Sequence, residues 1–176
     1  GAAHYRATPP SETDERVIDR SIGGFGSSLL TCCPSPRVTS SCCTQNGAQA
    51  LYHAWEGIVR DMGEGAAQIN LLLNRASPQL DIDSYLPYEG KAVIKNKTAR
   101  SIYVRIPNWV SRPEVSCLVN TTTVVNRCLG NYLVLDGLKP GVQITIEFPM
   151  VEQTIKRTFA PTGVTYTIHR RGNTAV

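Results

Sequence analysis

The feature that most limits the possible folds is a succession of short β-type segments that fills the chain from about residue 68 onward. Each segment is β-branched or alternates apolar with polar residues, and turn sequences such as YEGK, LKPG and APTG separate the segments. They read INLLLN, LDIDSYL, KAVIKN, SIYVRI, EVSCLV, TTVVN, NYLVLD, VQITIEF, QTIKRT and VTYTIH. About ten strands with no helix between them predict a mainly β protein, an antiparallel β-sandwich.

The alternation also predicts which side chains face the core. In SIYVRI we expect Ile102, Val104 and Ile106 to point inward and Tyr103 and Arg105 to point outward, because successive side chains of a strand lie on opposite faces.

A single helix is expected before the strands. Its apolar residues recur at steps of three and four and would share one face. They are Ala48, Leu51, Tyr52, Trp55, Ile58, Val59 and Met62. Thr44 is the expected N-cap, and GEG at residues 63–65 is the expected stop signal. We therefore divide the chain into residues 1–67, a loop with one helix, and residues 68–176, the β-sandwich.

Composition excludes several classes of function. The chain has 176 residues, 41% hydrophobic residues and a formal net charge of +4, and its basic residues are scattered. We therefore expect no nucleic-acid partner and, in the absence of an apolar run of membrane-spanning length, no membrane partner. Neither terminus has the features of a complete protein, so we expect a piece of a longer polypeptide whose sandwich is truncated at its C-terminal end.

The cysteines raise the main question about function. Two adjacent pairs, Cys32-Cys33 and Cys42-Cys43, precede the helix, and Cys117 and Cys128 lie among the strands. Free amides and the helix dipole would favour the thiolate form of the second pair. Four interpretations stay open for that pair: core packing, a disulfide to the first pair, a four-cysteine zinc site, or a catalytic or metal-bound thiolate.

The other candidate residues have simpler interpretations. We expect Tyr52 and Trp55 to pack in a core rather than to stack on a sugar, and Asn46 to cap the helix rather than to orient a substrate hydroxyl. His53 and Glu56 are expected at the solvated side of the helix.

Among the strands, Asp81, Asp83 and Glu89 could be read as paired catalytic carboxylates. Asp81 and Asp83 alternate with apolar residues, however, so we expect them to lie on the solvent face of a strand. Trp109 is expected to be structural, with sugar binding as the alternative if it is exposed. Cys117 and Cys128 are expected to be buried thiols or a cross-strand bridge.

Three stretches carry a resemblance to a known family. They are RVIDRSIGGFGS at residues 16–27, SCCTQNGAQALYHAWEGI at residues 41–58, and the region from NLLLNRASP through SYLPYEGK at residues 70–91. Together with the closing YTIHRRGNTAV they make the chain resemble the C-terminal part of the β-L-arabinofuranosidase-type glycoside hydrolase family.

The resemblance implies a specific chemistry. In that family an (α/α)6 catalytic barrel precedes β-sandwich domains, and zinc is held by a Glu-x-Cys motif and two adjacent cysteines. Carried over, Cys42 is the nucleophile and a zinc ligand, and Cys43 is a second zinc ligand. Residues 1–67 would be the end of the barrel, with a non-reducing-end β-L-arabinofuranoside or a related carbohydrate as substrate.

This chain also departs from the family pattern. It contains no Glu-x-Cys motif, the acid/base glutamate of the family would lie outside it, and residues 29–41 do not match what the family has before the cysteine pair. The missing N-terminal barrel is thus an expected partner, and we expect the chain alone to be inactive. The alternative is a non-catalytic β-sandwich module for carbohydrate binding or interdomain support.

Overall fold

The chain divides into two compact units, residues 1–56 and 57–176, and the computed structural model describes residues 41–159 and 163–176. The first unit contributes helix α1, Ser41–Glu56. The strands of the second unit are β1 Val59–Gly63, β2 Ala66–Ile69, β3 Arg75–Ala76, β4 Leu80–Ser84, β5 Lys91–Asn96, β6 Ser101–Arg105, β7 Ser116–Val119, β8 Thr122–Thr123, β9 Cys128–Leu129, β10 Tyr132–Leu135, β11 Gln143–Glu147, β12 Glu152–Phe159, β13 Val164–Arg171 and β14 Thr174–Ala175. The prediction of a mainly β chain with one preceding helix is confirmed for the described residues.

Three sheets are present in this part of the chain. The first sheet has the order β1-β2-β6-β10-β9 and the second has the order β3-β4-β5-β11-β7-β8. The third sheet, β12-β13-β14, is a long hairpin with one added short strand.

The core combines the alternate residues of the first two sheets. In the first sheet, Leu133 lies opposite Val104 and both are fully buried, while the register of the second sheet aligns Ile82, Ile94 and Ile144 in one buried row. Each such side chain stabilises the fold by about 1.5–3 kcal/mol when it leaves water. The core therefore belongs to a two-layer sandwich.

The strand β6 follows the expected alternation. Ile102, Val104 and the following Ile106 are buried, Tyr103 is half-buried, and Arg105 is exposed. This prediction is confirmed.

One strand pair differs from the expected antiparallel arrangement. Strand β2 pairs with β6 in parallel, with Ala67 opposite Ile102. The chain leaves the first sheet after β2, forms β3 to β5 in the second sheet, and then returns as β6. A connection through the other layer allows two strands to run in the same direction.

The helix is shorter at its C-terminus and longer at its N-terminus than the sequence predicted. It begins at Ser41, so Thr44 lies inside it, and it ends at Glu56. Val59 and Met62 belong to strand β1, and Ile58 is buried in the sandwich core. The assignment of these residues to the apolar helix face was wrong. The assignment of residues 1–67 to the end of a catalytic barrel stays a prediction.

The GEG segment has a different role from the predicted helix stop. Gly63, Glu64 and Gly65 all have positive φ angles, of 79°, 53° and 78°. They form the turn between β1 and β2, where glycine adopts this backbone conformation without a steric penalty.

The segment INLLLN is also largely outside the sheets. Only Ile69 is part of β2; among the next residues Leu72 is buried, whereas Leu71 and Leu73 are exposed.

The third sheet is attached to the sandwich through its ends. The Arg171 guanidinium donates a hydrogen bond to the Tyr88 carbonyl oxygen at 3.2 Å. The backbone N–H of Gly172 donates one at 2.8 Å to the carbonyl oxygen of Val151, the residue directly before β12. A Cβ atom at Gly172 would lie 3.0 Å from Met150 Cε and 3.2 Å from the Trp109 ring. The close contact and the positive φ of Gly172 together favour glycine at this position.

Candidate functional site

The cysteine pair lies in the first turn of α1. Because the helix begins at Ser41, Cys42 and Cys43 are its second and third residues, among the positions whose backbone N–H groups have no acceptor within the helix. These free N–H groups and the helix dipole stabilise negative charge, as the sequence argument required. The side chains of Cys42 and Cys43, and all of Cys32 and Cys33, lie outside what the structure describes.

The residues that the structure describes do not supply a full set of zinc ligands. Two adjacent thiols are suitable ligands for zinc, but structural zinc sites use four ligands and catalytic sites use three with a water. No group of three His, Cys, Asp or Glu side chains that could hold a metal ion occurs in the described residues. The described part of the chain therefore does not form a complete zinc centre.

The apolar face of α1 is exposed. Leu51, Tyr52 and Trp55 have 63%, 57% and 50% of their surface accessible to solvent. The Tyr52 and Trp55 rings lie beside each other, with centroids 6.2 Å apart. The prediction that Tyr52 and Trp55 pack in a core is therefore wrong for this chain. The helical spacing is correct, but these three side chains of the apolar face are exposed rather than buried.

The polar residues of α1 have ordinary surroundings. His53 and Glu56 are both exposed, with His53 Nδ1 3.8 Å from a Glu56 carboxylate oxygen. Their prediction as solvated residues is confirmed. Asn46 is exposed and lies five residues after the start of the helix, so it cannot serve as the predicted N-terminal cap.

The acidic residues of β4 form ion pairs instead of a catalytic carboxylate pair. Asp81 lies 2.6 Å from the Lys97 ammonium, and Asp83 lies 2.7 Å from the Lys95 ammonium. The hydrogen bond from Lys97 lowers the pKa of Asp81 below its ordinary value, so this carboxylate stays ionised. The prediction that these side chains belong to the solvent face of the strand is confirmed.

Trp109 has a structural position. Its ring packs edge-on against Phe148, with centroids 5.5 Å apart, and the half-buried side chain lies against the sandwich core. This contact supports the structural interpretation of Trp109 over sugar stacking.

Cys117 and Cys128 are both free thiols. Cys117 is fully buried in β7, and Cys128 is exposed in β9. Burial raises the pKa of the Cys117 thiol to about 11, so it is a poor nucleophile at neutral pH. Of the two predicted outcomes, the buried thiol holds for Cys117 only, and the cross-strand bridge is wrong.

A shallow open cavity of about 280 Å³, which the sequence did not predict, lies at one end of the sandwich. Asn108, Arg112 and Asn131 supply its polar lining; Ile106, Pro107 and Val110 complete it. The Arg112 guanidinium donates a hydrogen bond to Asn131 Oδ1 at 2.8 Å. Two asparagines that each follow a turn residue were the available sequence signal, but their proximity arises only because β6 and β10 are neighbours in the first sheet.

No helix in the described residues is long and apolar enough to cross a membrane.

Comparison with known proteins gives one consistent result. No protein-family model and no curated protein matches the chain. Among solved structures, a GH127 β-L-arabinofuranosidase from Geobacillus stearothermophilus T6 is similar, with a TM-score of 0.58 and 17% identity over 78% of this chain and 24% of that chain.

Two further structures agree with it. A protein described as a glycoside hydrolase gives a TM-score of 0.61 and 19% identity over 80% of this chain and 26% of that one. A second GH127 β-arabinofuranosidase gives a TM-score of 0.62 and 18% identity over 78% of this chain and 26% of that one. The chain spans about a quarter of the length of these enzymes. The resemblance predicted from the sequence is thus confirmed for the fold: the chain is similar in fold to a part of GH127 β-L-arabinofuranosidases.

Proposed function

We propose that this chain is part of a retaining glycoside hydrolase of the β-L-arabinofuranosidase type. The observation that carries the proposal is the similarity in fold to GH127 enzymes over 78% of the chain. The sequence adds the adjacent cysteines at the start of α1, which by the resemblance to that family would supply the nucleophile and two zinc ligands. The substrate class would be a glycan that ends in β-L-arabinofuranose or a related sugar.

Cys42 would be the nucleophile of this reaction. Its sulfur would attack the anomeric carbon, the glycosidic C–O bond would break, and the departing oxygen would take a proton from a carboxylic acid outside this chain. Water would then hydrolyse the sugar–sulfur bond, and the same carboxylate would accept the proton of the water. The position of Cys42 in the first turn of α1 supports this role, because the free N–H groups there stabilise a thiolate.

Cys42 and Cys43 would also be two of the ligands of a zinc ion, which keeps a bound thiol deprotonated at neutral pH. The other ligands would have to come from residues outside this chain. A chimera tests this directly: the corresponding quarter of the Geobacillus enzyme is replaced by this chain. We expect one zinc ion per chimera, lost in Cys43→Ser and retained in the matched control Cys128→Ser, since Cys128 is an exposed thiol in β9.

The isolated chain would be inactive, because it lacks both the Glu-x-Cys motif and the acid/base glutamate of the family. The assay is hydrolysis of a chromogenic β-L-arabinofuranoside by the purified 176-residue chain. We expect no turnover above that of the Cys42→Ser variant. Turnover by the isolated chain that depends on Cys42 would contradict the claim that activity needs residues from outside this chain.

A second candidate function is interdomain support by a non-catalytic sandwich. The observation that favours it is that residues 57–176 form a compact unit with a buried core of their own, separate from the unit that contains the cysteines. In this case the chimera would fold, and it would show no turnover that depends on Cys42.

A further inference from the structure

Two asparagines begin an Asn-x-Thr triplet, the acceptor sequence for N-linked glycans, and the structure places them in opposite environments. Asn96 is followed by Lys97 and Thr98, and Asn120 is followed by two threonines. The glycan is attached to the side-chain nitrogen, Nδ2. The accessibility of Nδ2 in the folded chain therefore distinguishes the two triplets.

Asn96 has no free Nδ2. It is the last residue of β5 and is only 3% exposed. Its Nδ2 donates hydrogen bonds to the carbonyl oxygens of Ala99 at 2.8 Å and Lys139 at 2.9 Å, which use both of its N–H groups. Its Oδ1 accepts a hydrogen bond from the Ala99 N–H at 3.0 Å. A sugar on Nδ2 would replace one of these donors and would have to occupy space inside the sandwich.

Asn120 has the opposite geometry. It is exposed, lies in the turn between β7 and β8, and has a φ of 55°, a conformation that asparagine tolerates better than most residues. Its Oδ1 accepts a hydrogen bond from the Gln143 N–H at 3.0 Å. This bond holds the carbonyl end of the amide and does not use Nδ2.

We propose that Asn120 is an N-glycosylation site of this chain and that Asn96, despite the same triplet, is not. In the transfer, Nδ2 of Asn120 forms a bond to the anomeric carbon of a lipid-pyrophosphate-linked oligosaccharide in the secretory pathway. The bond from that carbon to the pyrophosphate oxygen breaks, the lipid pyrophosphate leaves, and Nδ2 gives up one proton. The glycan would stand beside β8, the edge strand of the second sheet, where it would hinder pairing with another chain.

The test uses two matched variants of the full chain. Thr98→Ala and Thr122→Ala each remove one triplet while keeping its asparagine, and both threonines are exposed. The unchanged chain and both variants are expressed behind a secretion signal in a yeast host. Site occupancy is then measured by mass spectrometry after enzymatic release of N-glycans, in secreted and cell-retained material and in the fraction that resists limited proteolysis.

We expect one glycan per chain, at Asn120, which disappears in Thr122→Ala and is unchanged in Thr98→Ala. Absence of a glycan from Asn120 in every fraction would overturn the proposal, also when the chain is retained in the cell, because the transfer takes place before secretion. A glycan on Asn96 in chains that resist proteolysis would overturn it as well.

Discussion

Gly90 lies so close to Phe148 that a Cβ atom at Gly90 would be 1.9 Å from the Phe148 carbonyl oxygen. The same two residues are joined by a hydrogen bond of 2.8 Å from the Phe148 N–H to the Gly90 carbonyl oxygen. The contact fixes the end of β11 against the turn before β5, and the Phe148 ring packs against the Trp109 ring.

We expect Gly90→Ala to lower the free energy of unfolding by about 2–3 kcal/mol, because a backbone atom, which cannot rotate away, occupies the position of the new methyl group. The matched control is Gly130→Ala. Gly130 has a φ of 58° and nothing within 4 Å of its would-be Cβ, so only the backbone penalty of about 1 kcal/mol applies there. Urea denaturation measures both. An equal loss in the free energy of unfolding in the two variants would show that the close contact with Phe148 does not account for the effect of Gly90→Ala.

A second prediction concerns the buried hydrogen bonds of Asn96. Asn96→Ala leaves the Ala99 N–H without its side-chain acceptor and removes the donor to the Ala99 and Lys139 carbonyl oxygens. We expect a loss of about 2–3 kcal/mol in the free energy of unfolding. Asn131→Ala is the control, because Asn131 is exposed, and its loss should stay within about 0.5 kcal/mol. A near-neutral Asn96→Ala would contradict the assignment of this side chain as a structural link.

The buried thiol of Cys117 predicts a pH dependence. Its pKa in the folded chain is about 11, above its ordinary value of 9.0, because burial disfavours the thiolate. The neutral thiol therefore contributes stability below pH 9.0 that is lost as the pH rises toward 11. We expect the unchanged chain to lose more stability across this range than Cys117→Ala does, when both are measured by urea denaturation at several pH values.

The different exposure of Cys117 and Cys128 provides an independent check of the burial of Cys117. In the native chain a thiol reagent should modify Cys128, and it should reach Cys117 only on unfolding. Rapid labelling of Cys117 in the native chain would contradict its burial.

The autonomy of the sandwich predicts the behaviour of a shorter chain. All residues of the buried core cluster lie between Ile58 and Phe148, within the second compact unit. A chain of residues 57–176 should therefore keep its β-type circular dichroism spectrum and unfold in one cooperative transition. A non-cooperative transition would show that residues before Gly57 complete the core.

The sequence predicted the sandwich because period-two alternation reports directly on burial. Ile102, Val104 and Ile106 are inside for this reason, and Asp81 and Asp83 are outside for the same reason. The end of α1 could not be found in the same way. Ile58, Val59 and Met62 continue the helical spacing by coincidence, and the stop signal in the sequence is Gly57, directly after the last helical residue.

Pairing between distant strands was also beyond local patterns. The parallel pairing of β2 with β6 depends on the path of the chain through the second sheet, and the cavity at Asn108 and Asn131 depends on which strands become neighbours. The cysteine pair, by contrast, was visible at once as a candidate site, since its argument needs only the helix that follows it.

The central claim is that Cys42 supplies the nucleophile of a glycoside hydrolase once the rest of the enzyme is present. Turnover of a chromogenic β-L-arabinofuranoside by the chimera with the Geobacillus enzyme tests it most directly. We expect activity that falls by about 10³-fold or more in Cys42→Ser and is unchanged in Cys128→Ser. A folded chimera whose turnover does not depend on Cys42 would contradict the claim.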